Sequence, residues 1–376
     1  MYYSVIGKTR MHRQSLIIER YTIMGSRLPA GLGAGLWAGF AYLLLSVALT
    51  GCERSPTSAS GARIGSTEVL VYLIGPGGDC PQWPAIAGGA ERCAQQLPYM
   101  RFEAVRLHGR TPGQSSTTLP DVLGKKPFAI CLYVTDPVAA RPIAEQILAD
   151  GPVLVTMGVR IDGIKVFAHV DPCVANAAGL LGENLIKIAA GRQSYLLLHE
   201  NGKDALATRC YGRFMAAAGG QYTLTLLEQR SAADPETSPP QILAQMVKRF
   251  HRAGLVVTLS PEVWLTVPPE AVLKEQTRFA TLGAFPELWP HLRSGRALAL
   301  VGPLDGEIGY AAMELVSAAF TKSREFGTQR FILPELVTPQ TLDDFARRYA
   351  AAAGLDLADL IPASDGVTPT SGPDGG

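Results

Sequence analysis

The stretch 69–97, VLVYLIGPGGDCPQWPAIAGGAERCAQQL, constrains the fold of this chain more than any other. Residues 69–74 form an apolar run rich in β-branched side chains, closed by a Gly/Pro/Asp cluster at 75–79. A short apolar run bounded by turn residues predicts a buried strand of a parallel sheet. Beyond the turn, Trp83, Ile86, Ala87, Ala90, Ala94 and Leu97 recur at helical spacing. A strand thus leaves its sheet through a Gly-rich loop and enters a helix. In open α/β sheets, ligands bind at that carboxyl edge.

The same grammar repeats downstream. Strands are predicted at 102–107, 128–134, 153–157 and 166–170, with helices at 83–96 and 137–149. A second round follows: helices at 175–190, 208–218 and 240–253 alternate with strands at 194–199, 222–228 and 255–259. Residues 263–274 stay ambiguous, because Pro268 and Pro269 interrupt them. Short strands at 279–283 and 297–302, a helix at 306–320, a last strand at 331–333 and a helix at 338–352 complete the series. Alternation at this spacing predicts parallel sheets with helices on both faces. The chain of 376 residues is long enough for two such units, each with its own core.

The chain begins with an address. Lys8, Arg10, His12, Arg13, Arg20 and Arg27 give a basic start, and no charged residue follows until Glu53. Inside that gap, 40–49 (FAYLLLSVAL) is the most apolar run of the sequence and leads into Leu49-Thr50-Gly51-Cys52. The order basic, apolar, small is that of a secretory signal, and the ending resembles the lipobox of bacterial lipoproteins. That resemblance implies cleavage before Cys52 and acylation of its thiol, so residues 1–51 read as a signal peptide, with Met24 as a plausible true start. The competing reading is an uncleaved membrane helix, since the uncharged run can span about 30 Å of hydrocarbon. Residues 52–66, rich in Ser, Thr, Pro and Gly, read as a lipidated tether, and 362–376 as a disordered tail.

Six segments in order resemble a known family: 71–97 (VYLIGPGGDCPQWPAIAGGAERCAQQL); 136–158 (DPVAARPIAEQILADGPVLVTMG); 169–185 (HVDPCVANAAGLLGENL); 207–217 (ATRCYGRFMAA); 306–316 (GEIGYAAMELV); and 333–345 (LPELVTPQTLDDF). Together they are similar to the periplasmic substrate-binding proteins of sugar-type ABC transporters, the ribose-binding-protein-like group that shares its fold with LacI-type regulators. The resemblance implies two similar doubly wound α/β lobes with parallel sheets, joined by a three-crossing hinge. It assigns 67–170 plus 300–325 to the N-terminal lobe and 171–299 plus 326–361 to the C-terminal lobe. The implied protein is a monomer that clamps a small-molecule ligand between its lobes and presents the closed form to an ABC permease or a membrane sensor. No cofactor and no catalytic role are implied.

The resemblance also implies the site. Where sugar binders carry Asn-Pro-aromatic-aromatic, this chain has Cys80-Pro81-Gln82-Trp83. Trp83 either stacks on a ligand or packs in the core; Asp79 and Gln82 offer hydrogen bonds, Asp79 alternatively capping the helix. The family's Asp-Arg pair falls on Gly158 and Val159, with Arg160 and Asp162 close by as substitutes or as a solvated loop. Arg209 matches the ligand arginine of the second lobe. Ser260-Pro261 replace Asn-Asp, leaving Glu262 to reach the cleft; Gly283-Ala284-Phe285 replace Gly-Phe-Asp; and Pro303 replaces a Gln. Asp305 and Glu307 read as caps of the following helix. With its Asp, Asn and Gln lost, such a cleft suits a ligand other than a typical pentose or hexose, one able to use Trp83 and Phe285.

Composition narrows the classes further. A net charge of +1 with no basic, aromatic-interleaved run argues against a nucleic-acid partner. A LacI-type regulator is excluded because its DNA-binding helices would stand where the export segment stands. There is no Cys-x-x-Cys, no Gly-x-x-x-x-Gly-Lys and no Gly-x-Ser-x-Gly, and no two histidines sit at metal-ligand spacing. Export permits disulfides, with Cys80–Cys93 and Cys173–Cys210 as candidates and buried free thiols as the alternative.

Overall fold

The computed structural model describes residues 68–76, 80–106, 118–189, 191–192, 194–199, 205–219, 225–231, 238–322 and 327–360. The export segment, Cys52, the tether and the tail at 362–376 lie outside the described residues. Among the described residues no helix is long and apolar enough to cross a membrane.

The first round of the chain gives strands β1 (Val69–Gly75), β2 (Met100–Arg106), β3 (Ala129–Val134), β4 (Val153–Gly158) and β5 (Ala168–Asp171). Helices α1 (Trp83–Gln95), α2 (Leu119–Gly124) and α3 (Pro137–Asp150) connect the first four. The second round gives α4 (Val174–Glu183), α5 (Leu185–Ala189), β6 (Ser194–His199), α6 (Ala205–Ala218), β7 (Thr225–Ser231), α7 (Pro239–Arg249) and β8 (Leu255–Thr258). It continues through α8 (Glu262–Thr266), α9 (Pro269–Val272), β9 (Arg278–Leu282), α10 (Trp289–Arg293) and β10 (Ala297–Gly302). The chain then runs through α11 (Asp305–Phe320), β11 (Thr328–Phe331), β12 (Glu335–Val337), α12 (Leu342–Ala353) and α13 (Leu357–Leu360).

Each round builds a six-stranded sheet, in the order β2-β1-β3-β4-β5-β11 and β7-β6-β8-β9-β10-β12. The first five strands of each follow one doubly wound order, so the two lobes repeat each other. Every pairing is parallel except β10 with β12. The central strands are buried on both faces, as their unbroken apolar runs require: Val71, Leu73 and Ile74 of β1 and Leu255, Val256 and Val257 of β8 are fully enclosed. Local chemistry sets the helix starts. Asp136 Oδ1 accepts from the Val138 N–H at 2.8 Å and caps α3, and Thr118 with Asp121 forms a capping box at α2.

The chain crosses between sheets at 172–173, 303–304 and 332–334, between the elements on either side. β10 belongs wholly to the second sheet and β11 to the first, so the later crossings lie a few residues beyond the boundaries expected at 300 and 326. The strand expected at 331–333 proves to be the third crossing. Leu333 is 69 % exposed, and the strand before it is the polar Thr328–Phe331. An edge strand can be polar, so an apolar triplet is a poor guide there. The ambiguous segment 263–274 forms the two short helices α8 and α9, with Pro269 at the start of α9 where its missing N–H costs nothing.

Both lobes belong to one unit of the chain, and a tight helix junction ties them together. α12 packs in the core of the second lobe through Leu342, Phe345 and Tyr349. Its C-terminal end also meets α1 and α11 of the first lobe. A Cβ on Gly88 would stand 2.0 Å from the Ala353 carbonyl oxygen, and one on Gly306 would stand 2.3 Å from the Ala352 carbonyl carbon. Only glycine permits this approach. Arg92 spans the junction, donating to the Ala351 carbonyl at 2.9 Å and pairing with Glu307 at 3.0 Å.

Candidate functional site

The carboxyl ends of both sheets face a cavity of about 990 Å³. On the first lobe, Pro76 follows β1 and Cys80-Pro81-Gln82 precede α1; Arg106 ends β2, Tyr133 lies near the end of β3 and Thr135 follows it. On the second lobe, the start of α6 contributes Leu206, Ala207 and Cys210, the turn after β8 contributes Leu259 to Glu262, and the turn after β9 contributes Gly283 and Phe285. Pro172 and Pro303 line it from the crossings, and Asp305 from the first turn of α11. The cavity thus sits where doubly wound sheets place ligands, and two such edges face each other.

The structure brings Gln82, Glu262 and Phe285 to the cavity wall. Gln82 Oε1 accepts from the Cys80 thiol at 3.1 Å, and burial pushes that thiol's pKa up, so it is held protonated. Phe285 is largely core, 4 % exposed, its ring packed where a Cβ on Gly283 would stand. Asp79 lies outside the described residues. Three expected residues are not on the wall. Trp83 is 6 % exposed and packs with Ile86 and Ile308; a Cβ on Gly75 would stand 2.2 Å from its Cζ3. Of its two sequence readings the structure shows core packing, and its ring instead carries the Arg106 guanidinium, 5.9 Å from the ring centroid. Arg209 is exposed, because α6 turns Leu206, Ala207 and Cys210 toward the cavity instead. Arg160 is exposed on the loop after β4, which is tethered by Arg141 donating to the Asp162 carbonyl.

Sequence reading missed Arg106, Tyr133, Glu287 and above all Asp305. Asp305 is 3 % exposed. It does not cap α11; Leu304 holds that position, and Asp305 turns inward to accept from the Tyr349 hydroxyl of α12 at 3.2 Å. Burial raises its pKa to about 7; the Tyr349 hydrogen bond opposes the shift and the field of Glu287 adds to it. Tyr133 and Tyr349 are both pushed upward, chiefly by their own burial and further by the Asp305 charge. A charged residue directly after a Pro crossing, at a sheet's carboxyl edge, was the signal available for Asp305.

Cys80, Cys93, Cys131, Cys173 and Cys210 are all free thiols, so neither candidate disulfide is formed. Cys93 and Cys131 pack in the core of the first lobe, and Cys210 in that of the second. Among the described residues no group of three His, Cys, Asp or Glu side chains is arranged to hold a metal ion.

No family model and no curated protein matches the chain. Solved structures do match in fold. One is an ABC transporter solute-binding protein from Burkholderia graminis in complex with D-arabinose, at 11% identity and TM-score 0.60 over 74% of this chain and 97% of that chain. A second is an ABC transporter periplasmic solute-binding protein from Actinobacillus succinogenes with bound D-allose, at 15% identity and TM-score 0.61 over 73% and 99% of the two chains. A third is described as a putative LacI transcriptional regulator from Bacteroides fragilis, at 11% identity and TM-score 0.61 over 74% and 99%. The chain has the two-lobed fold of type I periplasmic binding proteins, as its sequence led one to expect.

Proposed function

We propose that this chain is an exported, lipid-anchored solute-binding protein of an ABC-type importer, which binds a small ligand between its lobes and hands it to a membrane permease. The observation that carries the reading is the cavity itself. It is lined from both lobes, at the carboxyl ends of two matched sheets, and three crossings join the lobes. Solute-binding proteins of the same fold, among them those bound to D-arabinose and D-allose, support a binding role over a catalytic one. Attachment rests on Leu49-Thr50-Gly51-Cys52, with the acylated Cys52 holding a monomer at the membrane surface outside the cytoplasm.

The ligand is not a typical pentose or hexose. Ser260-Pro261, Ala284 and Pro303 stand where sugar binders would pair hydroxyls, and each unpaired buried hydroxyl costs about 1–3 kcal/mol. The same replacements favour one other reading, a sensor or protein-contact lipoprotein that has given up transport.

Thermal unfolding of the purified chain against sugars, polyols, nucleosides, amino acids, amines and aromatic acids tests the reading. A true ligand at 100 times its dissociation constant stabilises by about 2.7 kcal/mol and raises the midpoint visibly. An unmoved midpoint across the panel would favour the protein-contact reading.

A further inference from the structure

We infer that the cleft takes an organic cation, with its ammonium group seated between the Asp305 carboxylate and the Tyr133 ring. The inference rests on the binding reading above and names its ligand class. Asp305 is 97 % enclosed, yet it lines the cavity. Tyr349 reaches Oδ2, while Oδ1 accepts no hydrogen bond among the described residues. Besides burial, the groups that act most on the carboxyl are Tyr349 and Glu287, and neither is a cation. A buried carboxyl without a counter-ion either holds a proton or takes a positive partner. The cavity is where that partner can enter.

The rest of the wall agrees. Among the described residues, Glu262 and Glu287 add two carboxylates to the wall, against Arg106 as the one cation. Arg106 is already stationed over Trp83, on the first lobe. Tyr133 lies close enough to Asp305 to feel its charge and lines the same cavity. A carboxylate beside an aromatic face is the pairing that recognises ammonium groups.

A cation bound there favours ionised Asp305, so binding releases a proton whenever the free protein holds one. Four titratable groups face Asp305 from neighbouring elements: Tyr349 on α12, Glu287 on the turn after β9, Tyr133 on β3 and Cys80 before α1. The tyrosines and the thiol have raised pKa values, so Asp305 dominates near neutrality. Affinity should fall about tenfold per pH unit below pH 7 and level off above it.

The test is calorimetric titration of the full chain with benzylamine, trimethylbenzylammonium and 1,4-diaminobutane, beside D-arabinose, myo-inositol and benzoate, at pH 5.5, 6.5 and 8. The inference expects at least one cation to bind, with the pH dependence above. It also expects Asp305→Asn to weaken that cation at least tenfold at pH 8 and to flatten the profile. Glu262→Gln, at an exposed position that folding tolerates, should weaken it two- to fivefold. Cation binding that is indifferent to pH and to Asp305→Asn would overturn the inference. Binding of a sugar, polyol or benzoate without any cation would overturn it while leaving the binding role intact. If no compound binds at any pH, the inference is overturned, and the broader thermal-unfolding panel decides the binding role.

Discussion

Replacing Asp305 by Asn should stabilise the folded chain at alkaline pH and leave it nearly unchanged at acid pH. In the folded protein the carboxyl titrates at about 7, because burial penalises its charged form; in the unfolded chain it returns to 3.8. Between those values the folded state holds a proton that the unfolded state has released. Stability from this group is therefore complete below 3.8 and is lost as pH rises through 7. At 1.36 kcal/mol per pH unit the loss totals about 4 kcal/mol. Asn has no charge to bury and can still accept from the Tyr349 hydroxyl. Urea unfolding of both proteins at pH 5 and pH 8.5 gives the difference directly. The variant should gain about 2–3 kcal/mol on the wild type between the two. Parallel curves across that range would mean that Asp305 is solvated or paired in the folded state, and the argument for an unpartnered carboxylate would fail.

Three further outcomes follow from the packing and the sequence. Gly88→Ala and Gly306→Ala should each destabilise by about 1–3 kcal/mol in urea, because a methyl group must force α12 off α1 or α11; wild-type stability in either would show that the helix junction is loose. Trp83→Ala should cost about 3–5 kcal/mol of folding stability, and a loss of ligand binding without such a loss of stability would return Trp83 to the site. Cys52→Ala should move the protein from the membrane fraction to the soluble one, and a variant that stays membrane-bound would favour the uncleaved-helix reading of residues 28–52.

The fold was legible where burial is complete. β1, β3, β6 and β8 are continuous apolar runs because helices cover both faces, and their short length and flanking turn residues mark them as strands. It was least legible at β11 and at the third crossing, where an edge strand is polar and the exposed apolar residues Phe331 and Leu333 mimic a strand. The site divides in the same way. Gln82 and Glu262 follow from the strand–loop–helix grammar, which sends carboxyl-edge residues into the cleft. Trp83 could not be placed, because stacking on a ligand and packing over Gly75 use the same aromatic at the same helix start. An acidic residue in a helix's first turn looks like a dipole partner, so the inward turn of Asp305 became visible only once Tyr349, 44 residues on, stood beside it.

The central claim is that one ligand touches both lobes at once, and hydrogen–deuterium exchange at saturating concentration of the strongest binder tests it most directly. The account predicts slowed exchange on both walls, at 80–82 before α1 and at 259–263 after β8, together with 303–305 at the second crossing and the start of α11. Protection confined to one lobe, or to a surface away from the cavity, would contradict it.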